Sequence, residues 1–245
     1  MTTKDIIRCY AGLQPEQRFS RKNLLSWMRD VGLFRDGSEA AINLSLSLML
    51  KSGELIKESW GTYILPLQKK RLFIPIPSNE IRDINHLLKV EFSYTRICVW
   101  DPQIIVPFMQ HIPNLYLLIV EIERIAMEPA FNLLQEKVSD RRVIFNPSSE
   151  DYARYVSGFP SIIVKPLISQ APLINFGGIN MPSLEKVMVD ISGDVEFSFA
   201  QGAELYTIYE NLLSSFVVNY KALYRYADRR ARRSQVESIV KTCEP

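Results

Sequence analysis

The chain has 245 residues, 47% hydrophobic and 23% charged, with a formal net charge of +2; this is the composition of a soluble globular protein with room for a small and a medium domain. No apolar run approaches the ~18 residues of a membrane span, and the first residues, MTTKDIIRCYAGL, lack the apolar stretch of a secretion signal. Cys9, Cys98 and Cys243 are scattered, with His86 and His111 as the only histidines, so neither a disulfide framework nor a metal site is indicated. A cytoplasmic protein without cofactor or membrane partner is expected. Charge is spread unevenly: Lys/Arg against Asp/Glu run 12 to 7 in residues 1–72, 10 to 17 in 73–220 and 7 to 3 in 221–245. Two basic ends flank an acidic middle, which directs a polyanionic partner to the ends.

In chain order, Ile6, Tyr10 and Leu13 recur at helical spacing over residues 2–13, and Pro15 ends that helix. Ser20 caps a second helix with Leu24, Met28 and Val31 inside and Lys22, Ser26 and Arg29 outside, stopped by Gly32. Ser38 is read as the cap of a third helix, whose Ile42, Leu46, Met49 and Leu50 make one buried stripe. After Gly53, Leu55-Ile56-Lys57 and Thr62-Tyr63-Ile64 are two β-prone runs joined by Glu58-Ser59-Trp60-Gly61, a hairpin with glycine in its turn. Three helices and a ribbon are the order of a winged helix-turn-helix, assigned to residues 1–70.

Beside the buried stripe of the third helix, Ala40, Asn43, Ser47 and Lys51 line a strip of short side chains, narrowed by Leu44 and Leu48. Asn43 is suited to an adenine edge and Lys51 to a phosphate. Lys22 and Arg29 would meet the backbone, and Lys57 and Trp60 would belong to the wing. Double-stranded DNA is the partner this arrangement favours. A protein-binding adaptor with a winged helix that does not bind DNA is the alternative, because the fold does not fix the ligand.

Residues 66–71 are a basic connector, and residues 71–245 are read as an α/β domain ending in helices. Helix-like segments at 78–92, 102–110, 129–136 and 150–155 alternate with strand-like segments at 96–100, 116–121, 143–145 and 161–165. Glycines at 177 and 178 fit a turn and not a phosphate loop, and Ser157 lacks the flanking glycines of a nucleophile elbow. Asp101, Glu121 and Glu123 raise a metal-dependent nuclease as a third reading, but Glu123 stands where that site needs lysine. Ser183 caps LEKVMVDI, with Leu184, Val187, Met188 and Ile191 as its stripe and Glu185, Lys186 and Asp190 outside it. Lys186 and Asp190 read as an i, i+4 surface pair. At the end, Arg225, Arg229, Arg232 and Arg233, with Arg230 beside them, are placed on one helical face as a second basic surface.

The amino-terminal pattern followed by IIVKPLISQAP, MPSLEKVMVDI and LYRYADRRARR resembles the AbiEi-type antitoxins of type IV toxin-antitoxin systems and their transcriptional-regulator relatives. The resemblance spans nearly the whole chain. It implies a non-enzymatic regulator that represses its own operon by binding operator DNA, and that counters a nucleotidyltransferase-like toxin encoded nearby. Carried onto this sequence, it places DNA contacts at Asn43, Ser47, Lys51, Lys57 and Trp60, and marks Glu185, Lys186, Asp190, Arg225, Arg229 and Arg230 without assigned roles. This chain departs from an arginine-rich reader: no arginine lies between Ser38 and Gly53.

Overall fold

The structure, a computed structural model, describes residues 2–66 and 70–244. It is of the mixed α and β class anticipated, and divides into two compact units, residues 1–74 with 214–217 and residues 75–213 with 218–245. Part of the basic connector, Leu67, Gln68 and Lys69, lies outside the described residues.

In the first unit, α1 (Thr3–Gly12) is followed by β1 (Arg18–Ser20), α2 (Arg21–Asp30), α3 (Ser38–Lys51), β2 (Ile56–Ser59) and β3 (Thr62–Ile64). The strands make an antiparallel sheet in the order β1-β3-β2. Thr2 caps α1 in a reciprocal capping box with Asp5, and the Ser20 hydroxyl accepts the Asn23 amide to start α2. The expected cap at Ser38 is corrected. Its hydroxyl accepts the Arg35 amide at 2.8 Å and closes the preceding turn, while Gly37, at φ +82°, occupies the N-cap position of α3. The hairpin turns at Trp60-Gly61, where Gly61 has φ +74°, a conformation that costs glycine least.

The core of this unit joins Ile7, Tyr10, Phe19, Leu24, Leu25, Met28, Ile42, Leu46 and Met49. Tyr10 meets Phe19 edge-on at 5.9 Å and Trp27 at 5.2 Å, so α1, β1 and α2 converge on one aromatic cluster. From α3 only a narrow stripe enters this core: Ile42, Leu46 and Met49 are buried, and Leu50 is half-buried at its edge.

The second unit contains α4 (Asn79–Glu91), β4 (Ile97–Trp100), β5 (Leu117–Ile122), α5 (Met127–Lys137), β6 (Arg142–Phe145), the short α6 (Ser149–Asp151), β7 (Ser161–Pro166), β8 (Leu173–Phe176), β9 (Ile179–Pro182), α7 (Leu184–Ile191), α8 (Ala203–Ser215), α9 (Tyr220–Arg229) and α10 (Arg233–Cys243). The residues of α8 from Ser214 onward belong to the first unit. Its main sheet runs β4-β5-β7-β6. The pairs β5/β7 and β6/β7 are parallel, and β4/β5 is antiparallel. All six residues of β5 are buried, as an apolar strand covered on both faces should be. Strands β8 and β9 form a hairpin over Gly177-Gly178, and Asn180 donates to the Ile97 carbonyl at 3.0 Å, which fastens it to the edge of β4. Ser183 caps α7 as expected. Its polar residues are not on a solvated side, however: every residue of α7 is buried.

The asymmetry of α3 makes a direct test. Leu46 is 2% exposed and Leu48 46%, so Leu46→Ala should cost about 2–5 kcal/mol in urea unfolding and Leu48→Ala no more than about 0.5 kcal/mol. Equal losses would contradict the orientation of the helix.

Candidate functional site

Opposite its buried stripe, α3 presents Ala40, Asn43, Leu44, Ser47, Leu48 and Lys51, all exposed. Successive residues of a helix advance by about 100°, which puts Ala40, Leu44, Ser47 and Lys51 along the centre of that face, Asn43 on one flank and Leu48 on the other. The face is therefore broader than the strip anticipated. Leu44 and Leu48, at 62% and 46% exposure, stand in water instead of closing off its edge.

Arg21 and Glu39, neither singled out in the sequence, organise one side of this face together with Arg29. Arg21, the first residue of α2, donates from Nε to Asn43 Oδ1 at 2.7 Å and reaches Glu39 at 3.3 Å. Arg29 meets the same carboxylate at 3.3 Å and lies 4.3 Å over the Phe34 ring. Glu39 thus holds both arginines beside the amino end of α3, and the Asn43 carboxamide is oriented with its oxygen engaged. Lys22 is exposed on the first turn of α2. In the hairpin, Arg18 pairs with Glu58 at 2.6 Å. The Lys57 ammonium lies 5.3 Å from the Trp60 ring, and Trp60 is 94% exposed.

The second unit holds a different kind of charge. Lys186 on α7 is wholly buried, bonded to Glu121 Oε1 of β5 at 2.8 Å and to Asp190 one turn along its own helix. Trp100 of β4 donates its indole N–H to the same Glu121 oxygen at 3.3 Å, and Tyr226 of α9 donates its hydroxyl to Asp190 Oδ1 at 3.0 Å. Burial disfavours the Lys186 ammonium, but the charges of Asp190 and Glu121 outweigh it and keep the lysine protonated far above its ordinary range. The surface-pair reading of Lys186 and Asp190 is corrected accordingly. Glu185 is buried as well, accepting the Asn219 amide at 2.8 Å and the Ser183 hydroxyl at 2.5 Å.

Asp194 continues this network. It accepts Lys165 of β7 at 2.8 Å, Arg232 at 2.6 Å and Arg230, while Lys165 also reaches Glu196 at 2.7 Å. Burial alone would raise the Asp194 carboxyl; the three cations prevail and hold it down to about 2. Lys165, Asp194, Glu196, Arg230 and Arg232 line an open cavity of about 270 Å³. Across the whole network, Lys165, Lys186, Arg230 and Arg232 face Glu121, Asp190, Asp194 and Glu196, so its formal charges cancel.

The second basic surface is divided by this arrangement. The helix breaks between α9 and α10, with Ala231 at φ +54°, so the terminal arginines do not share one face. Arg230 and Arg232 turn inward to Asp194. Arg233 pairs with Asp228 at 3.4 Å and Glu237 at 3.5 Å and lies 4.0 Å over the Tyr224 ring. Arg225 and Arg229 remain exposed on α9. Gly193 belongs to the same design, since a Cβ there would sit 3.2 Å from the Arg232 guanidinium.

The carboxylates considered for a nuclease serve separate ends. Glu121 is bound to Lys186, and Asp101 caps the following helical turn by accepting the Gln103 amide at 2.8 Å. Among the described residues no group of three His, Cys, Asp or Glu side chains is placed to hold a metal ion. No helix there is long and apolar enough to cross a membrane.

Residues 41–244 match the family described as "Family of unknown function (DUF6577)". The chain belongs to that family. No protein of curated function matches it. The DUF6577 match begins within α3 and takes in the exposed face from Asn43 onward, the hairpin and the whole ionic network. Lys22, Arg29 and Arg21, which holds Asn43, lie before it.

If the Lys186 ammonium bonds Asp190 as described, Lys186→Met and Asp190→Asn must not act independently. A double-mutant cycle in chemical unfolding should give a coupling of about 1–3 kcal/mol. Additive losses would place the two side chains in separate environments.

Proposed function

We propose that this protein is a DNA-binding transcriptional regulator whose first unit acts as a winged helix-turn-helix, laying the exposed face of α3 in the major groove with the β2-β3 hairpin as its wing. The observation that carries this reading is the combination on one helix of a buried stripe and an opposite face of short or aliphatic side chains ending in Lys51. That face follows α2 and precedes a hairpin tipped by Lys57 and Trp60, the order in which a reading helix and wing occur. The short side chains at Ala40 and Ser47 permit close approach to a groove floor. Lys22, Lys51 and Lys57 supply phosphate contacts, in keeping with the excess of cations in residues 1–72.

The resemblance to AbiEi-type antitoxins extends the proposal. On that reading the protein represses its own operon and counters a nucleotidyltransferase-like toxin, and it is a regulator without catalytic activity of its own. The fully compensated charge of the Lys186 network supports a structural role for the marked positions Glu185, Lys186 and Asp190, because none of them stands at a surface where a substrate would meet it.

A second reading has a specific observation in its favour. Glu39 and Glu58 already pair with Arg21, Arg29 and Arg18, and Leu44, Leu48, Ile56 and Trp60 are each exposed in this unit. Both features suit a protein-binding adaptor.

The salt dependence of binding separates the two. In anisotropy titrations of the protein's own promoter duplex, Lys51→Ala and Lys57→Ala should each flatten the slope of log K against log salt by about 0.9. Slopes unchanged in both variants would favour the adaptor.

A further inference from the structure

We infer that the α3 face reads thymine methyl groups, so that its target duplexes are recognised through the apolar edge of A·T pairs in the major groove; this rests on the DNA-binding reading above. Two observations lead there. The polar means of base readout on α3 are reduced. No arginine lies on the helix, and the bidentate contact of asparagine with adenine needs its carboxamide oxygen and nitrogen together. In this structure the oxygen of Asn43 already accepts Arg21 Nε at 2.7 Å. With its oxygen held by Arg21 the carboxamide is not free to turn oxygen and nitrogen together onto an adenine edge, and its two amide protons only donate, which is a weaker discriminator.

The apolar means are increased. Leu44 and Leu48 project from the exposed side at 62% and 46% exposure, while Leu46 on the same helix fills the core at 2%. The first two are thus not demanded by folding. Aliphatic side chains have one specific counterpart on a major-groove base edge, the thymine C5-methyl group. Leu44 and Leu48, one helical turn apart, are separated by about 6 Å along the helix axis. Base pairs recur every ~3.4 Å, so the pair covers the span of about two steps. Ser47 and Ala40 between and beside them are short enough to let both leucines reach the groove floor. Lys51, on the same face, supplies the charge complementarity that an apolar reader of a polyanion requires.

The test uses the full-length protein and duplexes enriched from a random double-stranded pool, each resynthesised with deoxyuridine in place of thymidine. Uracil keeps every hydrogen-bonding group of thymine and lacks the methyl. Wild-type protein should bind the deoxyuridine duplex more weakly, by about fourfold for each contacted methyl, the worth of one buried methyl-sized group. The Leu44→Ala/Leu48→Ala variant, altered at exposed positions, should bind both duplexes equally and keep the wild-type salt slope. Sequence-selective binding by the wild type that ignores the thymine-to-uracil change overturns this inference and leaves the DNA-binding reading intact. Failure to enrich or bind any duplex overturns both.

Discussion

An ammonium group with no access to water dictates how the larger unit is assembled. A charged lysine is tolerated in a protein interior only when carboxylates and hydrogen-bonding partners surround it. Lys186 meets that condition by drawing four elements to one point: Glu121 from β5, Asp190 from its own helix α7, Trp100 from β4 as a donor to Glu121, and Tyr226 from α9 as a donor to Asp190. The requirement then passes outward. Asp194, following α7, collects Lys165 from β7 and both Arg230 and Arg232 from the joint between α9 and α10. Charges that would otherwise repel along a helical face instead bind the end of the chain to the sheet.

The consequence for function is one of allocation. Where Arg230 and Arg232 are committed to Asp194, they are withdrawn from any polyanion, and the basic character of the carboxyl-terminal region is reduced to exposed residues such as Arg225 and Arg229. Helix α3 has the reverse arrangement. It contributes three fully buried side chains to its core and leaves Leu44 and Leu48 in water, a cost that folding does not explain. Short side chains, exposed leucines and a terminal lysine on one face, next to an exposed tryptophan, are what the DNA-binding proposal accounts for. The internal pairing of Arg21 and Arg29 with Glu39 shapes that face by fixing Asn43.

Much of this architecture was legible because it is local. The caps at Ser20 and Ser183, the turn glycine at Gly61 and the continuous apolar run of β5 are set by neighbours within a few residues. What could not be read depends on distance or on competing chemistry. Ser38 looks like a cap, but Gly37 takes that position and frees the serine for Arg35. Strand β1 is three residues long, too short to show a period of two. Lys186 and Asp190 carry the polar pattern of a solvated helix face, and the carboxylate that buries them, Glu121, lies 65 residues away. Helical periodicity places the terminal arginines on one face only if the helix is unbroken, and the left-handed Ala231 breaks it.

The central claim is that the exposed side of α3 and the adjoining hairpin are the surface that meets duplex DNA. Hydrogen–deuterium exchange of the full-length protein, with and without a saturating duplex of its promoter, measures this most directly. The account predicts added protection concentrated in residues 38–51 and 56–64, with the segments around Lys186 and Asp194 unchanged. Protection confined to the larger unit, or none in α3 while the duplex is bound, would contradict it.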